Sequence, residues 1–150
     1  MLAWRICRRA HRALDGEGAR RYGGRWNTAG RPVIYASTSR ALAVLELLVH
    51  VDVNDAPPDL YLLELSVPDA AAERLDVGRL PATWARVPEH PACRAAGDAW
   101  LTAGKSLALL VPSAPVAEEW NLLINPVHPR FGQVKLKRQR KFTFDPRIVR

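Results

Sequence analysis

The chain has 150 residues, 48% of them hydrophobic and 25% charged, with a net charge of +7. That is enough apolar material for one compact domain with its own core and too little for two comfortable ones. No apolar run approaches a membrane span or a signal-peptide core, and Met1–Arg12 is basic without one, so a soluble cytoplasmic protein is expected.

The charge is uneven. Residues 1–31 carry eight Lys/Arg and residues 130–150 another eight, whereas residues 32–129 hold six basic and twelve acidic residues. Basic ends suit a nucleic acid, a phosphate-bearing small molecule or an acidic protein, and charge alone does not choose among them. Cys7 and Cys93 have no metal-ligand spacing and are read as two reduced thiols.

In chain order, Leu2–Cys7 reads as a short strand and Ala10–Tyr22 as a polar connection. Pro32–Ala36 is β-branched and apolar, a buried strand. Ser37, Thr38 and Ser39 offer N-caps to a helix over Arg40–Val51, a run of strong helix formers. Leu60–Val67 is a strand closed by Pro68, and Asp69–Pro91 is mostly loop. Ala92–Ala103 is a helix ended by Gly104. Ser106–Val111 and Leu122–Ile124 are strands, Asn125–Pro129 a turn, and Lys141–Phe144 a late strand. Strands and helices mix without regular alternation, so the class expected is α+β. The run Lys135–Lys141 is read as a solvated charged face. Walker, Rossmann and zinc-site patterns are absent.

Glu46 is the strongest chemical signal. The helix around it is apolar nearly all round and should be buried. A lone carboxylate there is costly unless it is paired or used. An ion pair with Arg25 or His50 and a functional role are equally consistent with that cost. Arg25 lies in Tyr22-Gly23-Gly24-Arg25-Trp26-Asn27, where two glycines allow close backbone approach and an arginine fork suits phosphate or carboxylate. Trp26 can wall a pocket, and Tyr35 can stack on a planar ligand or fill the core. Ser113, held between Pro112 and Pro115, can orient a ligand or close a turn. Asn121, Asn125 and His128 cluster in a segment that Asn-Pro and His-Pro turns explain without function.

Taken in order, these pieces resemble the RES-domain family, toxins of bacterial toxin–antitoxin pairs. The resemblance runs from Trp4-Arg5-Ile6 through Gly23–Asn27, Gly30–Ser37, Ala41–Glu46 and Leu48–His50 to Ser113 and Asn125–Pro129. It implies an ADP-ribosyltransferase-like fold of mixed sheets and flanking helices. It implies NAD+ as substrate, cleaved at the nicotinamide–ribose bond with water or phosphate as acceptor, or with ADP-ribose passed to a protein. No metal is implied. The partner implied is a helical Xre-type antitoxin, in an oligomeric complex. For site residues it implies Arg25, Glu46, Tyr35 and Ser113 as catalytic, with Trp26, Asn125 and Arg5 also against the NAD+. Ser106 is the rival to Ser113, Arg5 the rival or companion to Arg25, and His128 a more distant candidate. The competing readings are a nucleic-acid-binding or RNA-cleaving toxin, drawn from the basic ends, and a non-catalytic interaction module in which Arg25 and Glu46 form a structural pair.

Overall fold

The computed structural model describes residues 1–148; Arg150, part of the basic C-terminal end, lies outside them. Seven strands form one mixed sheet: β1 (Leu2–Arg8), β2 (Ile34–Ser37), β3 (Leu60–Ser66), β4 (Ala72–Arg74), β5 (Ala108–Pro112), β6 (Trp120–Ile124) and β7 (Lys135–Lys141). Three helices flank it: α1 (Glu17–Tyr22), α2 (Arg40–Leu48) and α3 (Pro91–Ala103). The spatial order is β4-β5-β6-β2-β1-β3-β7. Only β4–β5 is parallel. The α+β expectation holds.

Side-chain alternation along the strands sorts the core onto two faces. Ile34, Ala36, Leu122 and Ile124 join Ala3, Leu63 and Leu65 on one face. Val33, Tyr35, Leu109, Val111 and Leu123 turn to the other, where α3 packs through Cys93 and Trp100 and the loops supply Trp26 and Trp84. Gly97 is obligatory at that contact, because a Cβ there would lie 1.7 Å from the Trp26 carbonyl oxygen.

Three sequence expectations need correction. The connection before Tyr22 contains α1, a six-residue helix capped at its end by Gly23 in the left-handed region (φ 68°). Lys135–Lys141 is β7, an exposed edge strand paired with β3, and the expected late strand ends at Lys141 instead of beginning there. Its basic side chains both solvate the edge and discourage pairing with another chain. The helix begins as expected, with Ser39 accepting from Leu42 N–H, but ends at Leu48, and only Leu42 and Ala43 are buried. Val44–Leu48 are half-buried and Val49 is 55% exposed. The helix packs on β1 and β2 with one side only, so its apolar composition overstates its burial.

Candidate active site

A cleft of about 760 Å³ opens on the face of the sheet that carries Tyr35 and Leu123. Its walls come from the middle of β1, the facing ends of β2 and β6, the side of α2, the Gly23–Trp26 turn, and the segments around Val87 and Ala114. Arg5, Arg25, Trp26, Tyr35, Glu46 and Asn121 all line it. Sequence segments far apart thus meet around one volume of the size that ordinarily holds a small-molecule ligand.

Glu46 projects from α2 over the ends of β5 and β6. Its Oε1 accepts from Ser113 Oγ at 2.7 Å and from Asn121 Nδ2 at 2.5 Å. Among the described residues no ion pair joins Glu46 to Arg25 or His50, although all three line the cleft. The carboxylate is therefore held by two neutral donors, which fix its direction without cancelling its charge. Ser113 is wholly buried, and its hydroxyl also accepts from Val116 N–H at 3.3 Å. It reaches the site through Glu46, while its neighbours Pro112 and Ala114 form the wall. Ser106 is elsewhere, accepting from the Trp100 indole at 2.9 Å and donating to the Ala108 carbonyl. That geometry separates the two serines.

Arg25 stands at the tip of a tight turn closed by paired bonds between Gly24 and Asn27. Its Nη1 donates to the carbonyls of Trp84 (3.0 Å) and Arg86 (3.2 Å). The guanidinium is thereby anchored on the loop before α3 with the rest of its fork available to an anion. Arg5 enters from β1, which pairs with β2 only at Trp4–Ser37. Its Nη1 donates to the Tyr35 carbonyl at 3.2 Å, and its Nε is buried without a partner.

Tyr35 lines the cleft and also has a structural task. Its hydroxyl donates to Asn27 Oδ1 at 2.7 Å and accepts from Trp26 N–H at 3.1 Å. Burial pushes its phenol well above the ordinary range, so the hydroxyl stays a protonated donor. Gly24 makes this possible, since a Cβ there would stand 2.6 Å from the Tyr35 hydroxyl oxygen. Asn27, fully buried, donates in turn to the carbonyls of Ala19, Thr28 and Arg31. Tyr35 and Asn27 together lock the turn that presents Arg25 and Trp26. Trp26 is 3% exposed and tilts against Trp84 with ring centroids 6.1 Å apart.

Asn125 and His128 do not reach the cleft. Asn125 Oδ1 accepts from Val127 N–H and His128 Nδ1 from Arg130 N–H, which are turn-forming bonds. They follow the opposite end of β6 from Asn121, about 13 Å along the strand. Asn121, grouped in the sequence with Asn125 and His128 as explained by turns, is instead a polar side chain inside the strand Trp120–Ile124. Its position on the face of Leu123 was available from alternation alone. Ser37, read from the sequence only as a helix N-cap candidate, is the last residue of β2. It is 4% exposed and donates to Asn121 Oδ1 at 2.7 Å.

Both cysteines are free and buried, and burial raises both thiols, against a partial pull downward from Arg5 on Cys7 and Arg25 on Cys93. Among the described residues no group of three His, Cys, Asp or Glu side chains converges as metal ligands, and no helix is long and apolar enough to cross a membrane.

Fold and cleft define an α+β domain with a carboxylate-centred, arginine-flanked site. A solved structure of the same shape is the M. tuberculosis MbcT–MbcA toxin–antitoxin complex, with a TM-score of 0.78 and 25% identity over 95% of this chain and 84% of that one. The chain belongs to the RES domain family, which matches residues 2–145. The Prs ADP-ribosylating toxin of Sphingobium sp. (strain YBL2) is 43% identical over 98% of this chain and 96% of its own length. The Toxin Res proteins of Pseudomonas putida and Photorhabdus laumondii are 39% and 35% identical over nearly their full lengths.

Proposed function

We propose that this protein is the toxin of a toxin–antitoxin pair and acts by cleaving the nicotinamide–ribose bond of NAD+ in the Arg25–Glu46 cleft. The observation that carries the reading is Glu46: an acidic side chain on the cleft wall, fixed through Oε1 by two neutral donors and not neutralised by a cation. Breaking the bond sends its electron pair to the ring nitrogen, so nicotinamide leaves neutral and needs no general acid. The ribose becomes oxocarbenium-like, and a pre-aimed carboxylate stabilises that positive charge as it develops. Arg25, anchored by two carbonyls, binds the pyrophosphate or the nicotinamide end, with Arg5 as a second cation. Trp26 and Tyr35 form the wall, with Tyr35 holding the turn in register. Ser113 acts by holding Glu46.

The acceptor that takes the ADP-ribose is water, phosphate or a protein side chain. The name of the Sphingobium relative favours protein transfer as a second reading. The likeness to a toxin–antitoxin complex supports an antitoxin partner, which we place in the Xre-type class.

The test is nicotinamide release by the purified chain, followed with water alone, with phosphate and with protein acceptors. Glu46→Ala should cut release by roughly a thousandfold or more, as losing a main transition-state electrostatic contact does, while circular dichroism stays unchanged. A wild-type protein that leaves NAD+ intact under all three conditions sinks the reading.

A further inference from the structure

An amide has a donor end and an acceptor end, and only one of them is welcome beside a carboxylate. Glu46 ionised can only accept, so the Asn121 amino group must face it. Oδ1 then faces the other way, onto a buried Ser37 hydroxyl that has to donate. The register supplies this arrangement, because Ser37 and Asn121 are directly opposed in the β2–β6 ladder. Ser37 is in turn opposite Trp4 of β1, in the middle of the sheet. All three polar groups are satisfied only when each proton points toward Glu46.

We infer that Asn121 is a positioning residue for Glu46 and that Ser37 orients Asn121. The relay Ser37→Asn121→Glu46, joined by Ser113, commits Oε1 to the protein and leaves Oε2 as the oxygen offered to the substrate. The two donors approach from different elements, Asn121 from β6 and Ser113 from the segment after β5. Rotation of the carboxylate would break both bonds together. The Ser113 bond, at 2.7 Å, has the length of a charge-assisted O–H···O⁻ bond, and the Asn121 amino group is in direct contact with the same oxygen. This inference rests on the proposed cleavage of NAD+, because only a developing positive charge gives the aim of Oε2 a kinetic value.

The test uses the full chain and NAD+. Asn121→Asp keeps the volume and the strand but replaces the donor by a second carboxylate. It should lower kcat roughly 10- to 100-fold, the size of one hydrogen bond to a charged group, and move KM by no more than about twofold. Ser37→Ala should lower kcat less, roughly three- to tenfold, and Ser37→Thr, which restores a hydroxyl, should recover most of it. Unchanged kcat in Asn121→Asp, or a rise in KM without loss of kcat, overturns the inference. A double-mutant cycle of Asn121→Ala with Glu46→Ala, read by denaturant unfolding without NAD+, tests the relay separately from the chemistry. Strong coupling supports it, and additive effects overturn it. Failure of the wild type to release nicotinamide would instead strike the proposed function, leaving the cycle to judge the relay.

Discussion

The two ends of β6 look alike in sequence and do opposite things. At one end Asn121 interrupts an apolar strand, and at the other Asn125 follows it. Asn121 reaches across to a carboxylate on α2 and to a serine on β2, linking three elements around the cleft. Asn125 bonds Val127, two residues on, and closes a turn. The difference is one of reach. A polar group that satisfies itself locally shapes the chain, whereas one satisfied by distant elements fixes their relative positions, and a site needs the second kind.

The comparison breaks most dramatically if the wall behind the cleft end is disturbed. Gly97→Ala forces a methyl group into the Trp26 carbonyl, and the Gly24–Asn27 turn cannot yield without dragging Arg25. A loss of at least about 3 kcal/mol is expected, at the upper end of overpacking costs, measured as a lowered denaturation midpoint, together with loss of nicotinamide release. Normal stability in this variant would show that the turn floats free of α3.

Ser113→Ala should come next. It removes one of the two donors to Glu46 and leaves Val116 N–H short of an acceptor. The expected loss is about 2 kcal/mol of transition-state stabilisation, within the range for hydrogen bonds to charged groups, seen in kcat and not in KM. At the other end of the strand Asn125→Ala should cost about 1 kcal/mol of stability, one neutral hydrogen bond, with kcat unchanged. If Asn125→Ala instead lowered kcat as Ser113→Ala does, the division between the two ends would be wrong.

How much of this was legible in the sequence follows the same line between local and distant. The Ser39 cap and the Gly104 stop are local signals that hold, and the strand expected over Pro32–Ala36 is found shifted to Ile34–Ser37. Glu46 was marked by its apolar neighbours, although the helix proved half-exposed and the charge lies on a cleft wall. What the sequence did not display is pairing. No spacing rule joins Glu46 to residues 67 and 75 positions away, or Ser37 to one 84 away. Nor did it reveal that Tyr35 is locked by Asn27, which makes the candidate stacking ring also the fastening of the arginine turn. The RES resemblance pointed to Arg25, Tyr35, Glu46 and Ser113 as one group. The structure brings them round one cleft, with Ser113 behind Glu46.

The finest discrimination is between the two serines that the sequence left as rivals. Ser106 belongs to the α3 side, where it accepts from the buried Trp100 indole and donates to a backbone carbonyl. Its removal strands the indole N–H of a residue only 6% exposed, yet Ser106 itself is half-buried, and nearby water can take over part of the bond. Ser106→Ala should therefore cost less than about 1 kcal/mol in stability and leave kcat untouched, since nothing in its bonds leads to Glu46. The contrast with Ser113→Ala is large because the bond that matters ends on a charge whose direction decides its use. Equal kinetic losses in the two variants would mean that the α3 side and the Glu46 network move as one unit, and the cleft would then have no separable positioning group.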